Sequence, residues 1–91
     1  MNSEPQKLLS RHPKLVQSDN KEVVSHIQRE VGEQYMNTLM IAECDTPFKY
    51  LRTKKYRTLE GQKVNLTYYP DTETVAGFDI EVMKVVRLRR S

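Results

Sequence analysis

The chain has 91 residues, of which 37% are hydrophobic and 30% are charged, and its formal net charge is +3. This length suits one domain, and no segment approaches the roughly 18 apolar residues of a membrane span. We therefore expect a single-domain protein without membrane association. Residues 1–9 lack the apolar run of a secretory signal, and the one cysteine, Cys44, cannot form an internal disulfide. These features predict a reducing compartment, the cytoplasm.

The apolar core available to this chain is small. Val, Ile, Leu and Phe supply 22 of the 91 residues, which lies above the level of about 20% below which disorder is expected. The chain is therefore expected to fold, although a domain of this size buries only about 60% of the surface of its unfolded chain. A small core favours a homodimer or a subunit of a complex.

The N-terminal segment is predicted to be an arm outside the folded domain. Residues 1–18 are polar and contain Pro5 and Pro13, with only short apolar pairs between them. Such a composition supports at most a turn or two of helix. The single α+β domain is then expected to span residues 19–91.

A helix is predicted to follow the arm. Asp19 and Glu22 have the spacing of a capping box, in which two side chains satisfy the first free N–H groups of a helix. Apolar side chains then recur at helical spacing within about 120° of arc: Val23, Val24, Ile27, Val31 and Tyr35. Gly32 interrupts this pattern at a cost of about 1 kcal/mol. The pattern favours one helix over 20–43, with a strand over 35–43 as the alternative.

The second half of the sequence predicts about three antiparallel strands. Residues 48–59 are rich in Tyr, Thr and Phe, and 60–61 is a plausible hairpin turn because glycine accepts positive φ. Residues 63–69 alternate between apolar and polar side chains. Residues 70–73 have the chemistry of a turn, and 75–88 form a long final strand. The expected fold is thus an arm and a helix followed by a small antiparallel sheet.

Part of this sheet resembles a known kind of barrel. The stretch Leu59 to Val86 resembles a hairpin from a small barrel of the OB or SH3-like kind. Its irregular faces at Val85 and Val86 predict a bulge or a bend. If residues 35–43 are a strand, the same segments form such a barrel behind an N-terminal helix. The resemblance covers less than a third of the chain and carries no diagnostic motif, so it implies no activity or ligand.

No catalytic constellation is visible, and we expect a protein that is not an enzyme. His12 and His26 are interpreted as ordinary surface or boundary residues. The run 43–45 offers a carboxylate, a thiol and a second carboxylate, but no further cysteine or histidine stands at metal-site spacing. The three glycines are isolated and cannot form a phosphate-binding loop. No metal and no cofactor are expected.

Basic and aromatic residues alternate in one stretch, which favours nucleic-acid binding. Residues 48–57 carry five positive charges and no negative charge, and a second basic cluster ends the chain. Cationic side chains neutralise phosphates, and tyrosine rings stack on unpaired bases. The predicted nucleic-acid-binding residues are Lys49, Tyr50, Arg52, Lys54, Lys55, Tyr56, Arg57, Lys84, Arg87, Arg89 and Arg90.

Two alternatives to this hypothesis stay open. The basic residues could simply solubilise the exposed face of a sheet or protect an edge strand. The protein could also be a small regulatory subunit, inhibitor or adaptor that binds an acidic protein surface, since Arg and Tyr are enriched at protein interfaces. Met36 and Met40 lie off the main apolar stripe and are the predicted partner-binding residues, unless the arm covers them through Leu8, Leu9 and Leu15.

Overall fold

The computed structural model describes residues 14–91, and within this range the chain is all β. Its strands are β1 (Val16–Val31), β2 (Gln34–Ile41), β3 (Phe48–Arg52), β4 (Lys63–Val75) and β5 (Phe78–Arg90). They form a closed barrel in the order β1-β2-β3-β5-β4, with β3 and β5 parallel and all other pairs antiparallel. This is a five-stranded Greek-key barrel of the OB type.

The predicted α+β fold is wrong, because two strands and a tight turn replace the helix expected over 20–43. Gly32 has a φ of 63° and occupies the first position of the two-residue loop between β1 and β2. Glycine suits this position of a type II′ hairpin, so the residue interpreted as a helix defect is the turn itself. The alternative of a strand over 35–43 agrees with β2, and the barrel alternative fits except for its N-terminal helix.

A bulge in β1 explains the misleading helical spacing. The ladder with β2 shifts its register between Val23 and Ser25, so the alternation of inner and outer side chains changes phase. Val23 is fully buried whereas Ile27 is 57% exposed. Beyond the bulge, the polar residues His26 and Gln28 pair with buried residues of β2. A strand with polar residues on its inner face does not show the simple alternation of a half-buried strand.

The predicted three-stranded meander is also wrong. β3 ends at Arg52, and a connection of residues 53–62 leads to β4 without any pairing between these two strands. β3 instead lies between β2 and β5. The sequence signal at 60–61 therefore marks a turn inside this connection rather than the tip of a hairpin.

The predicted pairing of the C-terminal hairpin is confirmed, but the predicted position of its turn is wrong. Residues 63–69 pair antiparallel with the last strand, as expected. However, the turn expected at 70–73 lies within β4, and the chain reverses at Ala76 and Gly77, whose φ values are 51° and 84°. Two positive φ values characterise the type I′ loop of a tight hairpin.

Local features of β4 and β5 account for this difference. Pro70 is tolerated within β4 because its pairs with β1 end at Tyr68 and only β5 remains as a neighbour. The register between β4 and β5 shifts at Thr67 and Tyr68 so that Val86 is the extra residue. The predicted bulge at this point is confirmed.

The core fills the barrel with side chains from its inner face. Its buried apolar members are Val23, Leu39, Ile41, Phe48, Tyr50, Val64 and Leu66. The rings of Phe48 and Tyr68 meet edge to face with their centroids 4.8 Å apart, the geometry that aromatic quadrupoles favour. In β5, Val82 is 1% exposed, whereas Met83 and Leu88 are partly buried against this cluster.

The β4–β5 hairpin continues beyond the barrel as a two-stranded ribbon, defined here as residues 70–82. Within it β4 and β5 pair only with each other. The molecule is accordingly elongated, with extents of 49 × 31 × 25 Å. The ribbon exposes both of its strand edges, an arrangement that is marginally stable without other contacts.

The backbone at Ala76 provides a test of the type I′ turn. A left-handed backbone conformation costs an L-residue about 1–2 kcal/mol, and asparagine tolerates this conformation better than alanine does. Ala76→Asn should therefore raise the free energy of unfolding by about 1 kcal/mol. Urea denaturation would measure the change. Ala76→Val should have the opposite sign, and equal stability of all three proteins would contradict the assigned turn.

Candidate functional site

The barrel opens into a groove where β3 and β5 part. Their parallel pairing covers only Phe48 with Met83 and Lys49 with Lys84. Beyond these pairs the opening has a volume of about 530 Å³ and is bounded by the connection 53–62. The lining residues are His26, Asn37, Tyr50, Arg52, Tyr56, Arg57, Thr58, Leu59, Gln62, Leu88 and Arg90.

The groove is positively charged and partly aromatic. Arg52, Arg57 and Arg90 line it, and among residues 14–91 no carboxylate belongs to its lining. The Arg52 guanidinium lies 4.7 Å from the centroid of the Tyr50 ring, within range of a cation–π interaction. Burial raises the pKa of Tyr50, and the nearby Arg52 charge opposes that rise only in part. The Tyr50 hydroxyl therefore stays protonated at neutral pH.

Side chains of β1 hold the connection 53–62 in place. The Gln28 amide donates to the Tyr56 carbonyl at 2.6 Å, and the Tyr56 N–H donates to Gln28 Oε1 at 2.9 Å. The Leu59 N–H donates to His26 Nδ1 at 2.9 Å, which places the ring proton on Nε2. His26 Nε2 then donates to Asn37 Oδ1 at 2.7 Å. The groove wall is thus fixed by specific bonds although it lies outside the strands.

Sequence reasoning missed the role of these residues. His26 was expected to be an ordinary boundary histidine, but it bridges the connection to β2. Asn37 is 1% exposed, and its amide also donates to the Tyr35 carbonyl at 3.2 Å. The available signal was the spacing of His26 and Gln28, two residues apart just before Gly32. Such spacing places both on one face of a strand.

Five of the eleven predicted nucleic-acid-binding residues line the groove: Tyr50, Arg52, Tyr56, Arg57 and Arg90. Lys54 and Lys55 are exposed in the connection that forms its wall. A strand through residue 56 would place Tyr50, Arg52, Lys54 and Tyr56 on one face. However, β3 ends at Arg52. Tyr56 reaches the groove through its bonds to Gln28 instead.

The other four predicted residues lie elsewhere. Lys49 and Lys84 each bind the Glu73 carboxylate at 3.0 Å, so their charges are already paired. These two hydrogen bonds lower the pKa of Glu73. Arg87 and Arg89 alternate with inward-facing residues of β5 and are exposed on its outer side.

Met36 and Met40 lie half-buried on the outer face of β2. Met36 pairs with Leu51 of β3, which is 45% exposed, so this face is apolar and partly open. The expected cover by the arm involves Leu8 and Leu9, which lie outside the described residues. Leu15 is described and is 55% exposed.

Two further observations concern the part of the chain that the structure describes. Among residues 14–91, no group of three His, Cys, Asp or Glu side chains is arranged to hold a metal ion. Over the same residues there is no helix with the length and apolar character needed to cross a membrane.

Comparison with known proteins finds no relative. No protein family, no curated protein and no solved structure matches this chain. The function must therefore be argued from the geometry and chemistry of the groove.

The anchoring bonds predict a residue-specific pattern of amide exchange. Gln28→Ala should accelerate hydrogen exchange at the Tyr56 amide by about fivefold, since one net hydrogen bond stabilises by about 1 kcal/mol. His26→Ala should do the same at Leu59. NMR exchange rates would measure both, with Gln17→Ala as a control that leaves these amides unchanged. Uniform acceleration in both variants would contradict separate anchoring.

The ion pairs of Glu73 predict a pH dependence of stability. A lowered carboxyl pKa stabilises the folded state above the ordinary titration range of glutamate, and this contribution is lost as pH falls through the folded-state value. Glu73→Gln should therefore lower the free energy of unfolding at neutral pH by about 1 kcal/mol or less. The difference from wild type should shrink in acid. Denaturation across pH tests this, with the exposed Glu81→Gln as control, and a pH-independent difference would contradict it.

Proposed function

We propose that this protein is a non-enzymatic module that binds single-stranded nucleic acid in the groove between β3 and β5. One observation carries the proposal: three arginines and two tyrosines converge on one recess that no carboxylate lines. Residues 50–57 supply four of these five side chains, and the end of β5 supplies the fifth. A recess of this composition offers both phosphate contacts and aromatic surfaces.

The arginines supply the sequence-independent part of the affinity. Each phosphate that they neutralise releases counterions, which for single strands lowers the logarithm of the binding constant by about 0.7 per tenfold rise in salt. Arg57 and Arg90 are exposed at the groove and free to contact a phosphate backbone. Arg52 is partly committed, because it lies over Tyr50 and donates to the Leu51 carbonyl at 3.1 Å.

The tyrosines favour unpaired bases over a duplex. Tyr56 is 55% exposed, and its backbone is fixed on both sides by Gln28. An exposed ring on a fixed backbone can stack on a base, which contributes about 1–3 kcal/mol per base. Bases in a duplex are already stacked on each other, so only a single strand can use this surface fully.

Base selectivity should be modest. The polar groups that could read a base edge at the groove are largely occupied, since His26 and Asn37 bond to each other and to the backbone. Contacts to phosphates position a strand without reading its sequence. OB-type barrels include oligonucleotide-binding proteins, but a fold does not imply a function, and the proposal rests on the groove.

A protein-interaction module is the second candidate. The observation that favours it is the partly open apolar surface formed by Met36, Met40 and Leu51 on the outer face of β2 and β3. Methionine adapts to varied partner shapes. Salt separates the two candidates, because phosphate binding weakens steeply as salt rises whereas an apolar interface changes little.

Fluorescence anisotropy with labelled single-stranded RNA and DNA at two salt concentrations tests the proposal. Arg57→Gln/Arg90→Gln should reduce the affinity at low salt by about tenfold or more, because charged hydrogen bonds contribute about 1.5–3 kcal/mol each. It should also make the salt dependence shallower. Tyr56→Ala should weaken single-strand binding more than duplex binding.

The matched control is Arg87→Gln/Arg89→Gln, which removes the same two charges from the outer side of β5. This control should retain most of the affinity. If wild type binds no strand at low salt, or if the control loses as much affinity as the groove variant, the proposed site is wrong. Binding of a protein partner that survives high salt would favour the second candidate.

A further inference from the structure

The ribbon and the groove carry opposite charges. The ribbon contains four acidic side chains and no basic one: Asp71, Glu73, Asp79 and Glu81. Since the whole chain has a net charge of +3, this leaves +7 on the remaining residues. Glu73 is paired with two lysines, whereas Asp71, Asp79 and Glu81 are exposed.

The ribbon tip is also strongly apolar. Phe78 is 72% exposed, Val75 is 49% exposed and Ile80 is 42% exposed. The tip has a defined shape, because its backbone reverses in a two-residue loop and Thr74 Oγ1 donates to Asp79 Oδ1 at 2.9 Å. Strand alternation places Phe78 and Ile80 on one face of the ribbon and Asp79 and Glu81 on the other. The end of the molecule therefore presents an exposed aromatic ring on one face and carboxylates on the opposite face.

The groove is complementary to this tip in both respects. Tyr50, Leu59 and Leu88 give it an apolar lining suited to an aromatic side chain, and Arg57 and Arg90 lie at the same recess. An aromatic anchor in a recess with charged residues beside it is the usual arrangement at the centre of a protein interface.

The tip cannot reach the groove of its own chain. The tip lies at one end of the β4–β5 hairpin, and Leu88 and Arg90 lie at the other end. Twelve residues of extended strand separate Phe78 from Arg90, a distance of about 40 Å at 3.3 Å per residue. A contact between the two surfaces therefore requires two molecules.

We infer that the ribbon tip of one molecule docks in the groove of a second copy of this chain. The ribbon enters the groove so that Phe78 on one face meets the apolar lining, while Asp79 and Glu81 on the opposite face pair with Arg57 and Arg90. The contact joins two different surfaces, so it is heterologous and produces a head-to-tail ring or chain rather than a two-fold dimer. The inference uses the groove of the proposed function but does not depend on its nucleic-acid ligand.

A second copy suits the ribbon because every copy carries both halves of the contact at equal concentration. Docking would cover the exposed edges and apolar side chains of a two-stranded ribbon that is marginal by itself. It would also place acidic groups where the proposed function places phosphates. Self-association and the binding of single-stranded nucleic acid should therefore exclude each other at one groove.

Sedimentation velocity of the full chain without nucleic acid tests the inference. Wild type should associate with increasing concentration at about 0.05 M salt and dissociate at about 1 M salt, where the Debye length falls to about 3 Å. Asp79→Lys/Glu81→Lys and Arg57→Glu/Arg90→Glu should each be monomeric, because the first removes the net negative charge of the ribbon and the second reverses the two groove charges that the ribbon would meet. Phe78→Ser should weaken association by about tenfold or more.

The decisive sample is the mixture of the two charge-reversed variants. In the mixture the unchanged acidic ribbon of the arginine variant meets the unchanged basic groove of the ribbon variant, so association should return, which also shows that both variants are folded. Glu22→Lys/Asp45→Lys changes the charge equally at exposed sites off the ribbon and should associate at least as well as wild type. A monomeric wild type at low salt, a charge-reversed variant that associates like wild type, or a mixture that stays monomeric would each overturn the inference. None of these outcomes depends on whether the protein binds single-stranded nucleic acid.

Discussion

The groove depends on polar side chains of β1 that take over the role of a missing strand neighbour. Where β3 and β5 part, residues 53–60 of the connection have no strand partner in the sheet. The end of the connection is held by β1, because the Gly61 N–H donates to the Val23 carbonyl at 2.8 Å and the Val23 N–H donates to the Gln62 carbonyl at 2.9 Å. Gln28 meets the N–H and the carbonyl of one residue with the two ends of its amide, as a neighbouring strand would. His26 Nδ1 accepts the N–H of Leu59, which lies three residues after Tyr56 in the connection. The Leu59 N–H is partly buried and must be paired, and the two bonds of Gln28 fix the exposed backbone at Tyr56. These two side chains therefore make an ordered wall possible.

This arrangement explains how the barrel can be closed and still have a recess. The two parallel pairs between β3 and β5 complete the barrel, and the strands are then free to part. A longer β3–β5 ladder would bring Tyr50 and Arg52 against β5 and remove the space between them. The cost of the opening is a smaller core, since Leu88 of β5 is only partly buried. Function and stability therefore compete at this end of the barrel, as is common where a site is built into a fold.

The sequence predicted the second half of the fold better than the first, for a physical reason. The alternation in 63–69 is clear because this strand buries apolar side chains, Val64 and Leu66, on its inner face. In β1 the inner positions beyond the bulge hold His26 and Gln28, so a bulged strand with polar inner residues imitated a helix. The parallel pairing of β3 with β5 joins residues more than thirty positions apart, which no local pattern reveals.

The candidate site was partly visible in the sequence for a similar reason. Alternating basic and aromatic residues in 50–57 are local, and this stretch lies at the groove. The contribution of Arg90 depends on how β5 crosses the barrel. The pairing of Lys49 and Lys84 with Glu73 depends on how the fold brings β3, β4 and β5 together. Charge counts treated all these cations alike. The structure separates those with a carboxylate partner from those that line an open recess.

The β4–β5 hairpin also separates charge along its length. Its ribbon end is acidic and apolar, and its barrel end carries Arg87, Arg89 and Arg90. The carboxylate of Glu73 marks the boundary, where it binds one lysine from β3 and one from β5. Two like charges at adjacent positions of parallel strands would repel each other, so this carboxylate allows the ribbon base to remain on the barrel. These ion pairs engage Lys49 and Lys84, whereas Arg57 and Arg90 stay exposed at the groove for a phosphate backbone or for the acidic ribbon of another copy.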